Sequence, residues 1–137
     1  MFWRAILIAI LLAGCAQLPL TPADLQARKF ETVPDKSVIY VVRDSPDFID
    51  APATIWLGEQ ETVTIYPGTY YRWETVPGLN RIKGMGADGG AISLKTIPGG
   101  VYFVQQRLTP SGQSAFQVVG EPQARSIVAR STLAGGR

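Results

Sequence analysis

Histidine is absent from all 137 residues, and cysteine occurs once. The first absence removes Ser-His and Cys-His nucleophile pairs and imidazole metal sites. The second removes any intramolecular disulfide. Excess charge is missing too: 13 Lys and Arg stand against 11 Asp and Glu, a formal net charge of +2. Interspersed as they are, these charges offer no polybasic run for nucleic acid or for electrostatic binding to anionic lipid. A long hydrophobic run is also lacking. The best one, residues 5–13, falls well short of the roughly 20 apolar residues of a spanning helix.

That short run has the form of a secretory signal peptide over residues 1–14. Arg4 supplies the charged start, residues 5–13 the apolar centre, and Ala13-Gly14 the small-residue end before Cys15. Leu12-Ala13-Gly14-Cys15 resembles the lipobox of bacterial lipoproteins. The resemblance implies that Cys15 is the first mature residue, with a diacylglyceryl thioether and a further acyl chain on its amine. The alternative is a chance thiol behind an ordinary signal peptide, although a lone exposed thiol is a liability in an oxidising compartment. One myristoyl chain binds reversibly at about 0.8 kcal/mol per buried methylene, so two or three chains anchor essentially permanently. Ala16 stands where an Asp marks inner-membrane retention in enteric-type sorting. The expected location is therefore the periplasmic face of the outer membrane, with the lipid on Cys15 and no other cofactor.

Removing the first 14 of 137 residues leaves 123, and removing Arg4 leaves 12 basic against 11 acidic. A chain of that length buries about two-thirds of its unfolded surface and needs no metal or disulfide. Residues 15–36 read as a lipidated tether stiffened by Pro19, Pro22 and Pro34. Within it Thr21-Pro22-Ala23-Asp24 can cap and start a short helix, with Asp24 and Arg28 paired at i, i+4. From residue 37 the chain turns β-branched and aromatic. Segments 38–42, 53–57, 61–66, 70–76, 79–83, 91–97, 101–108 and 114–119 read as strands, several with period-two alternation. Pro67-Gly68, Pro77-Gly78 and Pro98-Gly99 suit type II turns, and Asp88-Gly89 marks a further reversal. This pattern predicts an all-β fold, an antiparallel β-sandwich or barrel over residues 37–130. Residues 121–130 read as a short helix begun by Pro122 or as a closing strand, and residues 131–137 as a flexible tail.

Few motifs carry chemistry. Gly84-Met85-Gly86-Ala87-Asp88-Gly89 spells G-x-G-x-x-G, but strand-like alternation follows where a dinucleotide site needs a helix. Asp44, Asp47 and Asp50 lack the spacing of a calcium loop and suit turn chemistry. Glu59 and Glu61 flank a tight turn as solvated charge rather than as a carboxylate pair. Ser93 and Lys95 share a strand face and could form a Ser/Lys hydrolase dyad, yet no nucleophile elbow or oxyanion hole accompanies them. The chain is therefore not expected to be an enzyme. The richest stretch is residues 66–76. Tyr66, Tyr71, Arg72 and Trp73 are of the types enriched at binding hot spots, and Trp56 is similar. The competing reading puts Tyr71 and Trp73 in the sandwich core, and it is the preferred one.

The order Val38-Ile39-Tyr40-Val41-Val42-Arg43, Trp56-Leu57-Gly58, Pro67-Gly68-Thr69-Tyr70-Tyr71, Val76-Pro77-Gly78-Leu79 and Gly100-Val101-Tyr102-Phe103-Val104 resembles small bacterial lipoproteins carrying the domain of unknown function 2846. That likeness covers residues 37–119 and implies a transthyretin-like (prealbumin-like) sandwich. Asn80 stands where that family often has a histidine. The family has no accepted activity, so the resemblance bears on fold and location. Together these readings lead to a membrane-anchored envelope lipoprotein. Its sandwich is expected to be a non-catalytic binding or assembly module for another envelope protein, or alternatively a glycan- or peptidoglycan-binding module.

Overall fold

The computed structural model describes residues 19–86 and 90–135. The expected signal peptide, Cys15 and the expected Asp88-Gly89 reversal lie outside the described residues. The elements in chain order are α1 (Pro22–Ala27), β1 (Ser37–Arg43), β2 (Ala53–Leu57), β3 (Glu61–Ile65), β4 (Thr69–Thr75), β5 (Gly78–Lys83), β6 (Ala91–Thr96), β7 (Val101–Leu108), β8 (Ser114–Val118), α2 (Glu121–Ala129) and β9 (Thr132–Leu133). They form an all-β sandwich of two sheets, ordered β8-β7-β1-β4-β9 and β3-β2-β5-β6.

Between the sheets the alternating strands meet. Ile39, Val41, Ala53, Ile55, Leu57, Ile65, Trp73, Ile82, Val104 and Leu108 make one buried cluster. A second cluster covers the other face of the five-stranded sheet, where Val38, Tyr40, Val42, Tyr70 and Phe103 pack under Ala27, Ala124, Ile127 and Val128. Hence β1 is buried along its whole length. A strand covered on both faces reads as a continuous apolar run rather than an alternation. The same double burial accompanies the departure from an antiparallel sandwich: β1 runs parallel to β7, and β4 parallel to β9.

Of the expected tether over residues 15–36, the described residues 19–36 pack on the domain. Thr21 caps α1 by accepting from the Asp24 amide at 3.2 Å. The buried Asp24 carboxylate takes the Tyr70 hydroxyl, Arg28 Nε at 2.8 Å and the Leu133 amide at 3.2 Å. Tyr40 Oη donates to the Ala27 carbonyl at 2.6 Å. A helix that is marginal alone is thus held by tertiary packing. Nor are residues 131–135 a free tail, since Thr132 N donates to the Gly68 carbonyl at 3.0 Å and Ala134 N to that of Tyr70 at 2.7 Å. Of the two readings of residues 121–130, the helix is the one that forms, with Pro122 in its first turn.

Turn glycines fall where expected. Gly68 and Gly99 have φ of 79° and 74°, near the type II value, whereas Gly78 opens to 128°. Asn80, buried, closes its turn by donating to the Val76 carbonyl at 3.0 Å and Thr96 Oγ1 at 2.9 Å, and by accepting from Thr75 Oγ1 at 2.8 Å. The Asn80 side chain thereby stitches β4, β5 and β6 together.

Candidate functional site

The free edge of β4 is the best-formed candidate. In the five-stranded sheet β4 has β1 on one side and β9 on the other, but β9 reaches only Thr69 and Tyr70. The bonds from Thr132 and Ala134 go to the carbonyls of Gly68 and Tyr70. Even-numbered residues of β4 therefore turn their peptide groups toward this edge. Arg72 and Glu74 come next in that series and lie beyond the last residue of β9.

Beside this edge runs a groove of about 870 Å³. Gln26, Glu31 and Val33 line one side, Tyr71, Arg72 and Glu74 the strand side, and Leu133 to Gly135 one end. Arg72 Nη1 donates to Glu74 Oε1 at 2.6 Å, and Arg72 Nη2 to the Glu31 carbonyl at 3.4 Å. Burial lowers the Arg72 pKa, but Glu74 and the nearby Tyr40 more than offset this and leave it above the ordinary value. Tyr71 Oη donates to Glu61 Oε1 at 2.6 Å. Burial, then that bond and the Glu61 charge, push the Tyr71 pKa up to about 12. The groove thus combines apolar walls, a fixed guanidinium, a neutral phenol and strand backbone that β9 leaves uncovered.

The sequence-derived candidates separate in space. Tyr71 and Arg72 share the groove. Trp73 is 6% exposed in the inter-sheet core, so as a binding residue it is corrected: the preferred packing reading holds. Tyr71 packs partly against the same core. Tyr66 is exposed beyond the end of β3, and Trp56 is 41% exposed on the outer face of the second sheet. The packing reading fails for Trp56, because β2 turns Ile55 and Leu57 inward and leaves position 56 in solvent. Glu31, Val33 and residues 133–135 were missed. They come from segments read as tether and tail, and only the apolar Val33 and Leu133 hinted at burial.

The remaining motifs are accounted for by packing. Asp47 accepts from Arg43 Nε at 2.8 Å and the Leu108 amide at 3.0 Å, while Asp44 pairs with Arg130 at 2.6 Å. Among the described residues, no group of His, Cys, Asp or Glu is placed to hold a metal ion. Ser93 and Lys95 are exposed on the outer face of β6. No protein-family model matches the chain, and no curated protein matches it.

Proposed function

We propose that the chain is a membrane-anchored envelope lipoprotein whose β-sandwich is a non-catalytic binding or assembly module for another envelope protein. Leu12-Ala13-Gly14-Cys15 supports the anchor. The observation that carries the binding reading is the open edge at Arg72 and Glu74 beside the groove of about 870 Å³. An extended segment of a partner adds there as the next strand. Its main-chain bonds supply affinity, and the groove supplies side-chain selection. Open edges are normally blunted, and two residues of β9 cover only the start of this one.

Photo-crosslinking in the native envelope tests this, with probes at Arg72 in the groove and at Thr64 and Tyr66 outside it. One dominant protein adduct at Arg72 is expected. Glu74→Pro, which removes an amide facing the free edge and is tolerated there, is expected to abolish that adduct while the melting temperature holds. Equal adducts at all three positions, or glycan adducts at Arg72, overturn the reading. A glycan module is the second reading, favoured by the exposed indole of Trp56. Flat Trp56 fluorescence on titration with cell-wall fragments counts against it.

A further inference from the structure

The outer face of the β3-β2-β5-β6 sheet gathers cations that, among the described residues, enter no ion pair. Strand alternation turns Trp56 of β2, Leu79, Arg81 and Lys83 of β5, and Lys95 of β6 to one side. Register sets Trp56 directly across from Lys83, and Leu79 across from Lys95. Ile97 follows Lys95 by two residues, just past the end of β6. Among the described residues the ion pairs all use Arg28, Arg43, Arg72, Arg125 or Arg130, and none uses Arg81, Lys83 or Lys95. No outward residue of these four strands is acidic. Glu59, in the β2–β3 turn, borders the face beside Arg81 and Lys83, at a hollow of about 420 Å³.

Outward neighbours along a strand stand about 7 Å apart, and cross-strand diagonals about 7–8 Å. Like charges at that spacing weaken the fold slightly, and among the described residues no ion pair compensates. The apolar members are as informative. Leu79 is 78% and Ile97 64% exposed at one end of the cationic patch, with Trp56 41% exposed at the other. Lys and Arg reaching phosphates, Trp at headgroup level and aliphatics at the acyl boundary are the composition of interfacial surfaces. A hydrated acidic polysaccharide would neutralise the cations but leave Leu79 and Ile97 in water. A bilayer surface removes them from it.

We propose that this face docks on an anionic phospholipid surface. The inference does not depend on Cys15, although an anchor would raise the effective concentration of membrane at the face.

The test uses the full chain with two kinds of vesicle carrying brominated acyl chains: phosphatidylcholine alone, and equal parts phosphatidylcholine and phosphatidylglycerol. The readout is quenching of Trp56, taken as the difference between the chain and its Trp56→Phe variant. An anchor elsewhere in the chain holds the protein on both vesicles without bringing Trp56 to the bilayer, so anchoring and docking are read separately. The expected result is quenching on anionic vesicles alone, which high salt reverses. Each cation near an anionic surface contributes about five-fold, so the triple variant Arg81→Gln, Lys83→Gln, Lys95→Gln is expected to dock roughly 100-fold more weakly. These side chains are exposed, and an unchanged melting temperature checks that the variant folds. Equal quenching on both vesicles, quenching retained in the triple variant, or a Trp56 response to an acidic oligosaccharide with none to vesicles would each overturn the proposal.

Discussion

Arg43 is the residue on which the long β1–β2 connection closes. Its side chain is fully buried, yet each of its three nitrogens donates: Nε to Asp47 at 2.8 Å, Nη1 to the carbonyls of Ala51 at 2.6 Å and Ile65 at 3.0 Å, and Nη2 to that of Ile49 at 2.9 Å. A buried guanidinium is tolerated only when paired and hydrogen-bonded in this way. Arg43→Ala leaves Asp47 and three carbonyls without their donor. It is expected to cost about 3–5 kcal/mol in urea unfolding, and Arg43→Lys to recover only part because an ammonium lacks the planar fork. Asp24 is the matching case for acid. Burial raises its pKa, but Tyr70, Arg28 and the Leu133 amide outweigh burial and hold it below 3.8. A carboxyl lowered in the folded state adds stability that is present above the unfolded pKa and lost as pH falls through the folded one. Between about pH 6 and pH 3 the chain should therefore lose more melting temperature than its Asp24→Asn variant. Equal losses would show that other carboxylates govern the acid limb.

At the level of elements, the two chain ends behave as one unit. Asp24 of α1 bonds the Leu133 amide of β9, and Arg28 donates to the Ser131 carbonyl. Truncation after Ser131 removes the bonds from Thr132, Leu133 and Ala134. At about 1 kcal/mol each, the expected loss is about 2–3 kcal/mol, read from the urea midpoint. The Pro98-Gly99 turn is the other test. Gly99 has φ of 74° with nothing near its missing Cβ, so Gly99→Ala isolates backbone strain from sterics. A cost of about 1–2 kcal/mol is expected, and an unchanged midpoint would mean the turn has rearranged. The eight strands of residues 37–119 were legible because alternation and Pro-Gly punctuation are local signals. β9 was not, because two residues pairing with a strand more than 60 positions away leave no periodicity.

For the whole molecule, lipidation at Cys15 and the fold make separable predictions. Cys15→Ser is expected to abolish lipid labelling and either release the domain from membranes or leave an uncleaved precursor. Persistent labelling of that variant would sink the anchor. Net charge shows where whole-chain reasoning reaches its end. A balance of 13 basic and 11 acidic residues argued against anionic lipid, yet strand register brings Arg81, Lys83 and Lys95 onto one face while five arginines elsewhere are paired with carboxylates. Composition averages over the surface that folding sorts. By itself, the sequence determined the all-β class, nearly every strand and the turns between them, since those follow from side-chain period and backbone freedom. Only the tertiary structure decided that β1 is covered on both faces, that Trp73 is interior while Trp56 is exposed, and that β9 covers only Thr69 and Tyr70 of β4. Each of these depends on which distant segment packs against which face, and burial is a property of neighbours rather than of residue type.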